Sequence, residues 1–122
     1  MNEPSRRQKR VADMLVKEIS MFIQSEIRDP RIGFVTVSHV SISPDLRQAR
    51  VYVNVLGDEK ARKDSLIGLS HAAPHIRTHI AKTVYMRRAP DLEFVYDDGL
   101  DKLSHIDKLL KEISNNDPSQ DN

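Results

Sequence analysis

The sequence predicts an α+β fold, a three-stranded sheet with helices packed on one face, and three features carry that prediction. A long amphipathic stripe opens the chain, two alternating segments joined by a turn follow it, and a second helical stripe leads into a short last strand. With 122 residues, 39% of them hydrophobic, the chain has material for one domain and one modest core.

From Ser5 to about Arg28, apolar residues stand at Val11, Leu15, Ile19, Phe22, Ile23 and Ile27, a spacing of threes and fours that lays them on one helical face. Asp29-Pro30 and Gly33 punctuate its end. "FVTVSHVSI" and "QARVYVNVL" then read as strands. The second alternates cleanly, with Ala49, Val51, Val53 and Val55 on one face. In the first, Val35 and Val37 share a parity that Val40 and Ile42 do not, which predicts a β-bulge near Ser38-His39. "SPDL" between them, with Pro44 suited to a turn's second position, makes the pair a hairpin. From about Asp58 a helical stripe runs through Leu66, Leu69, Ala73, Ile76, Ile80 and Val84, and Leu92 to Tyr96 forms the third strand. A final helix is expected to carry Leu100, Leu103, Ile106, Leu109 or Leu110, and Ile113, N-capped by Asp98. Residues 114–122 read as a polar, disordered tail after a single domain over residues 1–113.

Pro74 lies in the middle of the second helical stripe. Proline inside a helix removes a backbone donor and clashes with the preceding turn, at a cost of about 3 kcal/mol. It also disfavours helical geometry at the residue before it. The expected outcome is a break at Ala73, with Pro74 opening a new helix. The N–H groups freed there, those of His75, Ile76 and Arg77, would then form an anion site suited to phosphate. The alternative is a tolerated kink. On a wheel of about 100° per residue, His71, His75, Thr78, His79 and Lys82 fall opposite the apolar stripe, so the three histidines are expected to face away from the core.

The net charge of +1 conceals an asymmetry. Residues 1–90 carry 16 Lys and Arg against 9 Asp and Glu, whereas residues 91–122 carry 3 against 9. This is the pattern of a polyanion-facing body with an acidic end turned away from the polyanion, or else of a solvated mixed-charge surface. The basic candidates form three groups: Arg6, Arg7, Lys9 and Arg10; Arg28 and Arg31; and Arg77, Lys82, Arg87 and Arg88. The six aromatics are expected to be taken up by strands and helix faces, leaving no row of platforms for stacked bases.

Several classes are excluded. Without cysteine there is no disulfide, Cys-zinc site or thiol chemistry. Histidines at i and i+4 can ligate zinc, but no acid lies in that helix beside them, and no metal or other cofactor is expected. The N-terminus has no apolar signal region and no apolar run approaches 18 residues, so a cytoplasmic protein without a membrane segment is expected. There is no phosphate loop, dinucleotide fingerprint or nucleophile elbow, and helix capping accounts for Asp97-Asp98. No enzyme is expected.

Three stretches, "RVADMLVKEIS", "DPRIGFVTVSHVSISPDLRQARVYVNVL" and "RRAPDLEFVYDDGLDKLSHIDKLL", resemble the ribosome-binding factor A family, from about Arg6 to Ile113. The resemblance implies a KH-like fold of type II topology (α-β-β-α-kink-α-β) with an additional C-terminal helix. Ordinary KH domains grip nucleic acid with a GxxG loop, which this chain lacks. The family has instead an interrupted helix usually carrying Ala-x-Gly, to which Ala72, Ala73 and Pro74 correspond, with proline where glycine is usual. The resemblance further implies a monomeric, non-enzymatic assembly factor that binds the free 30S small ribosomal subunit and its 16S rRNA during late maturation and supports 16S rRNA processing. Carried over, the RNA-facing residues are Arg6, Arg7, Lys9, Arg10, Arg28, Arg31, Arg77, Lys82, Arg87 and Arg88. The rival readings are a general RNA-binding KH-like module and a protein-interaction adaptor working through the acidic end.

Overall fold

A computed structural model describes residues 3–84 and 86–97. The expected final helix and the expected tail lie outside the described residues. The elements run α1 (Arg6–Ser25), β1 (Val35–Ile42), β2 (Gln48–Val55), α2 (Glu59–Thr83) and β3 (Asp91–Tyr96).

Helix α1 begins where the sequence provides a cap. The Ser5 hydroxyl accepts from the Gln8 N–H while the Gln8 side chain accepts from the Ser5 N–H, a reciprocal box satisfying two otherwise unpaired donors. Its buried residues are Val11, Leu15, Ile19 and Ile23, four members of the predicted stripe. The Gln8 amide also donates to the Ile42 carbonyl at 2.9 Å, tying the start of the helix to the end of β1, an edge strand of the sheet.

The sheet has the order β1-β2-β3, with β1 antiparallel and β3 parallel to β2. The register shifts between Val37 and His39, where the change of parity predicts a bulge. The bulge restores Val40 and Ile42 to the inner face with Val35 and Val37, opposite Ala49, Val51, Val53 and Val55 of β2. All eight are buried against the two helices. Parallel pairing of β2 with β3 requires a long crossover, and α2 is that crossover.

One expectation is corrected here. Helix α2 is not split at Ala73; it is helical without interruption from Glu59 to Thr83, with Pro74 inside it. Pro74 withholds one backbone donor, but Leu69, Ile76 and Ile80, on either side of it, are fully buried in the core. Burying such side chains contributes about 1.5–3 kcal/mol each, more together than the proline costs, so tertiary packing overrides the local penalty. No second helix start arises at His75, and the anion site expected from one is absent. Gly68, in the same helix, lets α2 lie against the loop between α1 and β1: a Cβ there would stand 2.6 Å from Ile32 Cγ1.

Candidate nucleic-acid interface

The sheet separates the basic candidates into two poles. Helix α1 runs antiparallel to β1, so its first turn lies beside the β1–β2 hairpin and its last turn beside the start of β1. The eight residues of β1, at about 3.3 Å each, put these poles roughly 25 Å apart.

At the hairpin pole a groove of about 750 Å³ is lined by Arg7, Asp45, Leu46, Arg47, Met86, Arg87 and Arg88. Three predicted residues thus meet there from two separate segments. Arg47 joins them; a single arginine in a turn carries no pattern that would single it out. Arg6 and Arg10 are exposed on the same first turns of α1, and Lys9 instead lines a cavity against the β1 edge with Asp13, His39 and Ser41. Lys82 is exposed in the last turn of α2.

Arg77 has a different place. Its guanidinium donates to the carbonyls of Pro90 at 3.1 Å and Ala89 at 3.3 Å, and lies 3.4 Å from the Asp91 carboxylate. It therefore clasps the segment entering β3 to α2. Its acceptors are backbone carbonyls, which a charge pattern does not reveal.

At the opposite pole, Arg28 is exposed and lines two depressions. One is shared with Phe34; the other lies against Ala72, His71 and His75 of α2, which brings Ala72 beside Arg28. Phe34 departs from its expected packing, being 73% exposed. Arg31 turns back on Asp29, donating from Nε at 3.0 Å and Nη2 at 2.7 Å, and its Nη2 also lies 3.4 Å from His71 Nδ1. The Arg31 guanidinium, with help from its backbone N–H, holds the Asp29 carboxyl well below the usual carboxylate range, down to about 2. Because folding lowers this pKa, the associated stability is complete above the ordinary value of 3.8 and is lost as pH falls through about 2. Arg31→Ala is expected to raise the Asp29 midpoint part of the way back towards 3.8, the backbone N–H of residue 31 remaining as a donor, read by a carboxyl carbon NMR titration.

The histidine face is corrected in part. His71 and His75 are exposed, but His79 is half-buried between the helices, with Nε2 3.2 Å from Glu18 and its ring 4.8 Å from that of Phe22. A wheel places His79 opposite the sheet-facing stripe and cannot show that α1 covers that side. Among the described residues no group of three or more His, Cys, Asp or Glu is disposed to hold a metal ion, and no helix is long and apolar enough to cross a membrane.

Comparison with known proteins adds the lineage. The sequence model of the family described as Ribosome-binding factor A matches residues 7–110. The chain is 47% identical over 107 residues to Ribosome-binding factor A of Desulfitobacterium hafniense, covering 88% of this chain and 86% of that one. It is 44% identical over 112 residues to that of Brevibacillus brevis, covering 92% and 93%. Among solved structures, ribosome-binding factor A of Thermus thermophilus superposes with a TM-score of 0.66 at 31% identity, over 73% of this chain and 93% of that one. A homology model of the Thermus thermophilus factor, fitted into a cryo-EM map of a 30S–RbfA complex, superposes with a TM-score of 0.59 at 33% identity, over 69% and 88%.

Proposed function

The chain belongs to the ribosome-binding factor A family and has its KH-like fold, and from that premise we propose that it binds the free 30S small ribosomal subunit and its 16S rRNA late in assembly and supports 16S rRNA processing. The observation that carries the reading is the likeness to a relative fitted into a 30S complex. The factor acts in the cytoplasm as a monomer and without catalysis. Lys and Arg neutralise RNA phosphates and release counterions, giving affinity that falls steeply with salt. Holding one RNA conformation shifts the folding equilibrium of the subunit by the difference in affinity for its two states.

The RNA-facing residues are those that the fold leaves unclasped: Arg6, Arg7, Lys9, Arg10, Lys82, Arg87 and Arg88 towards the hairpin pole, and Arg28 beside Ala72 at the other. Arg31 and Arg77 serve them from behind. The shape of the RNA, more than base stacking, sets the specificity. Depletion of the protein in its host tests the assembly role. Unprocessed 16S precursor and free small subunits are expected to accumulate and to be cleared by the wild-type chain; normal precursor levels after depletion would overturn it.

A further inference from the structure

The hairpin-pole groove has a property that a merely solubilising surface does not require. Arg7, Arg47, Arg87 and Arg88 converge on it from three separate segments of chain, yet none of the four makes an ion pair among the described residues. Its acid, Asp45, is committed to the turn: the Ser43 hydroxyl donates to it at 2.6 Å and the Arg47 N–H at 3.1 Å. Asp45 keeps its charge there and offsets one arginine of the four, so the groove retains an excess of like charge that repels itself and that an incoming polyanion relieves.

The positions are also fixed beforehand. Leu46 adopts φ 62°, a left-handed conformation that costs a branched, bulky residue free energy, and its side chain is buried in the core. The Leu46 N–H donates to the Ser43 carbonyl at 2.9 Å, closing the turn that presents Arg47. On the other side of Arg47, its carbonyl accepts from the Asp91 N–H at 2.8 Å. The Arg77 guanidinium, through the Ala89 and Pro90 carbonyls, holds the chain immediately after Arg87-Arg88. Two basic segments remote in sequence are thus pinned to one another across the groove.

We propose that this groove is a preorganised grip for the phosphodiester backbone of RNA, in which Arg47 contacts phosphate together with Arg7, Arg87 and Arg88, while Arg77 is a positioning residue that does not touch the RNA. The assignment rests on the small-subunit reading above and names the site on which that reading would act. An acidic protein surface is the competing occupant. It is disfavoured because arginines brought together along a groove match a series of phosphates, and arginine recognises phosphate through a forked pair of donors.

The test is equilibrium binding to purified small subunits, and to protein-free 16S rRNA, across a salt series. Arg47→Ala is expected to weaken binding to both about tenfold and to lower the slope of log K against log salt by about 0.7–0.9, one phosphate contact. Arg47→Lys, which keeps the charge, should retain the slope. Arg77→Ala should weaken binding of the folded protein severalfold with the slope unchanged; a purely structural role would lower Tm and leave that affinity intact. Arg50→Ala, on the open sheet face and paired with Glu93 at 3.0 Å, is the silent control. Wild-type binding and slope in Arg47→Ala would overturn the groove while the small-subunit reading stood. Loss of subunit binding with rRNA binding untouched would transfer the groove to an acidic protein. Failure of the wild-type chain to bind small subunits at all would instead sink the reading beneath it.

Discussion

Truncating Ile76 to alanine is expected to lower the unfolding free energy by about 3–4 kcal/mol, while replacing Pro74, two residues earlier, with alanine raises it by about 2 kcal/mol. The two changes probe opposite sides of one balance. Ile76 is fully buried, and its loss leaves a cavity in the layer between α2 and the sheet. Pro74 is exposed and lies within a continuous helix, where it supplies no N–H to the Ser70 carbonyl. Alanine restores that bond and removes the ring clash. Part of the gain is offset because proline also restricts the unfolded chain. Urea unfolding of the wild type and both variants gives the two differences. No stabilisation from Pro74→Ala would mean that the helix is interrupted at that point and that its packing does not override the proline.

The largest functional effect is expected from reversing charge in the groove. Arg7→Glu with Arg88→Glu should reduce affinity for free small subunits at least a hundredfold at moderate salt. Two charge-assisted contacts are removed, each worth about 1.5–3 kcal/mol, and two repulsive ones replace them. The salt slope should fall by about 1.4–1.8, from the loss of two phosphate contacts. Neither side chain is buried, so helix content and unfolding midpoint should stay close to wild type. Filter binding against a salt series reads the affinity, and circular dichroism confirms the fold. A double variant that binds within threefold of wild type would place the RNA contacts elsewhere on the molecule.

The parts of this fold legible in the sequence are those set by local periodicity. The parity change from Val35 and Val37 to Val40 and Ile42 located the bulge, because a pleated strand has period two and only an extra residue returns both pairs to one face. The stripe Val11, Leu15, Ile19 and Ile23 located the buried face of α1 for the analogous reason at helical period. What escaped was decided by partners distant in sequence. Burial of Leu69, Ile76 and Ile80 carried α2 through Pro74 against its local preference. His79 met Glu18, 61 residues away, which no wheel of a single helix contains. Charge counting groups Arg77 with Arg87 and Arg88 and cannot show that its guanidinium also donates to the Pro90 and Ala89 carbonyls. Arg47 was overlooked because its place depends on a turn residue in an uncommon conformation, Leu46, and on a hydrogen bond to Asp91.

On the small-subunit reading proposed above, a sheet-and-helix body that presents arginines at two ends would draw affinity from phosphate neutralisation and selectivity from the shape of its target. Co-sedimentation of the purified protein with free small subunits, large subunits and whole ribosomes, at low and at moderate salt, tests that claim most directly. Salt-sensitive binding confined to free small subunits is the predicted result. Equal binding to all three particles, or binding to small subunits that does not change with salt, would contradict it.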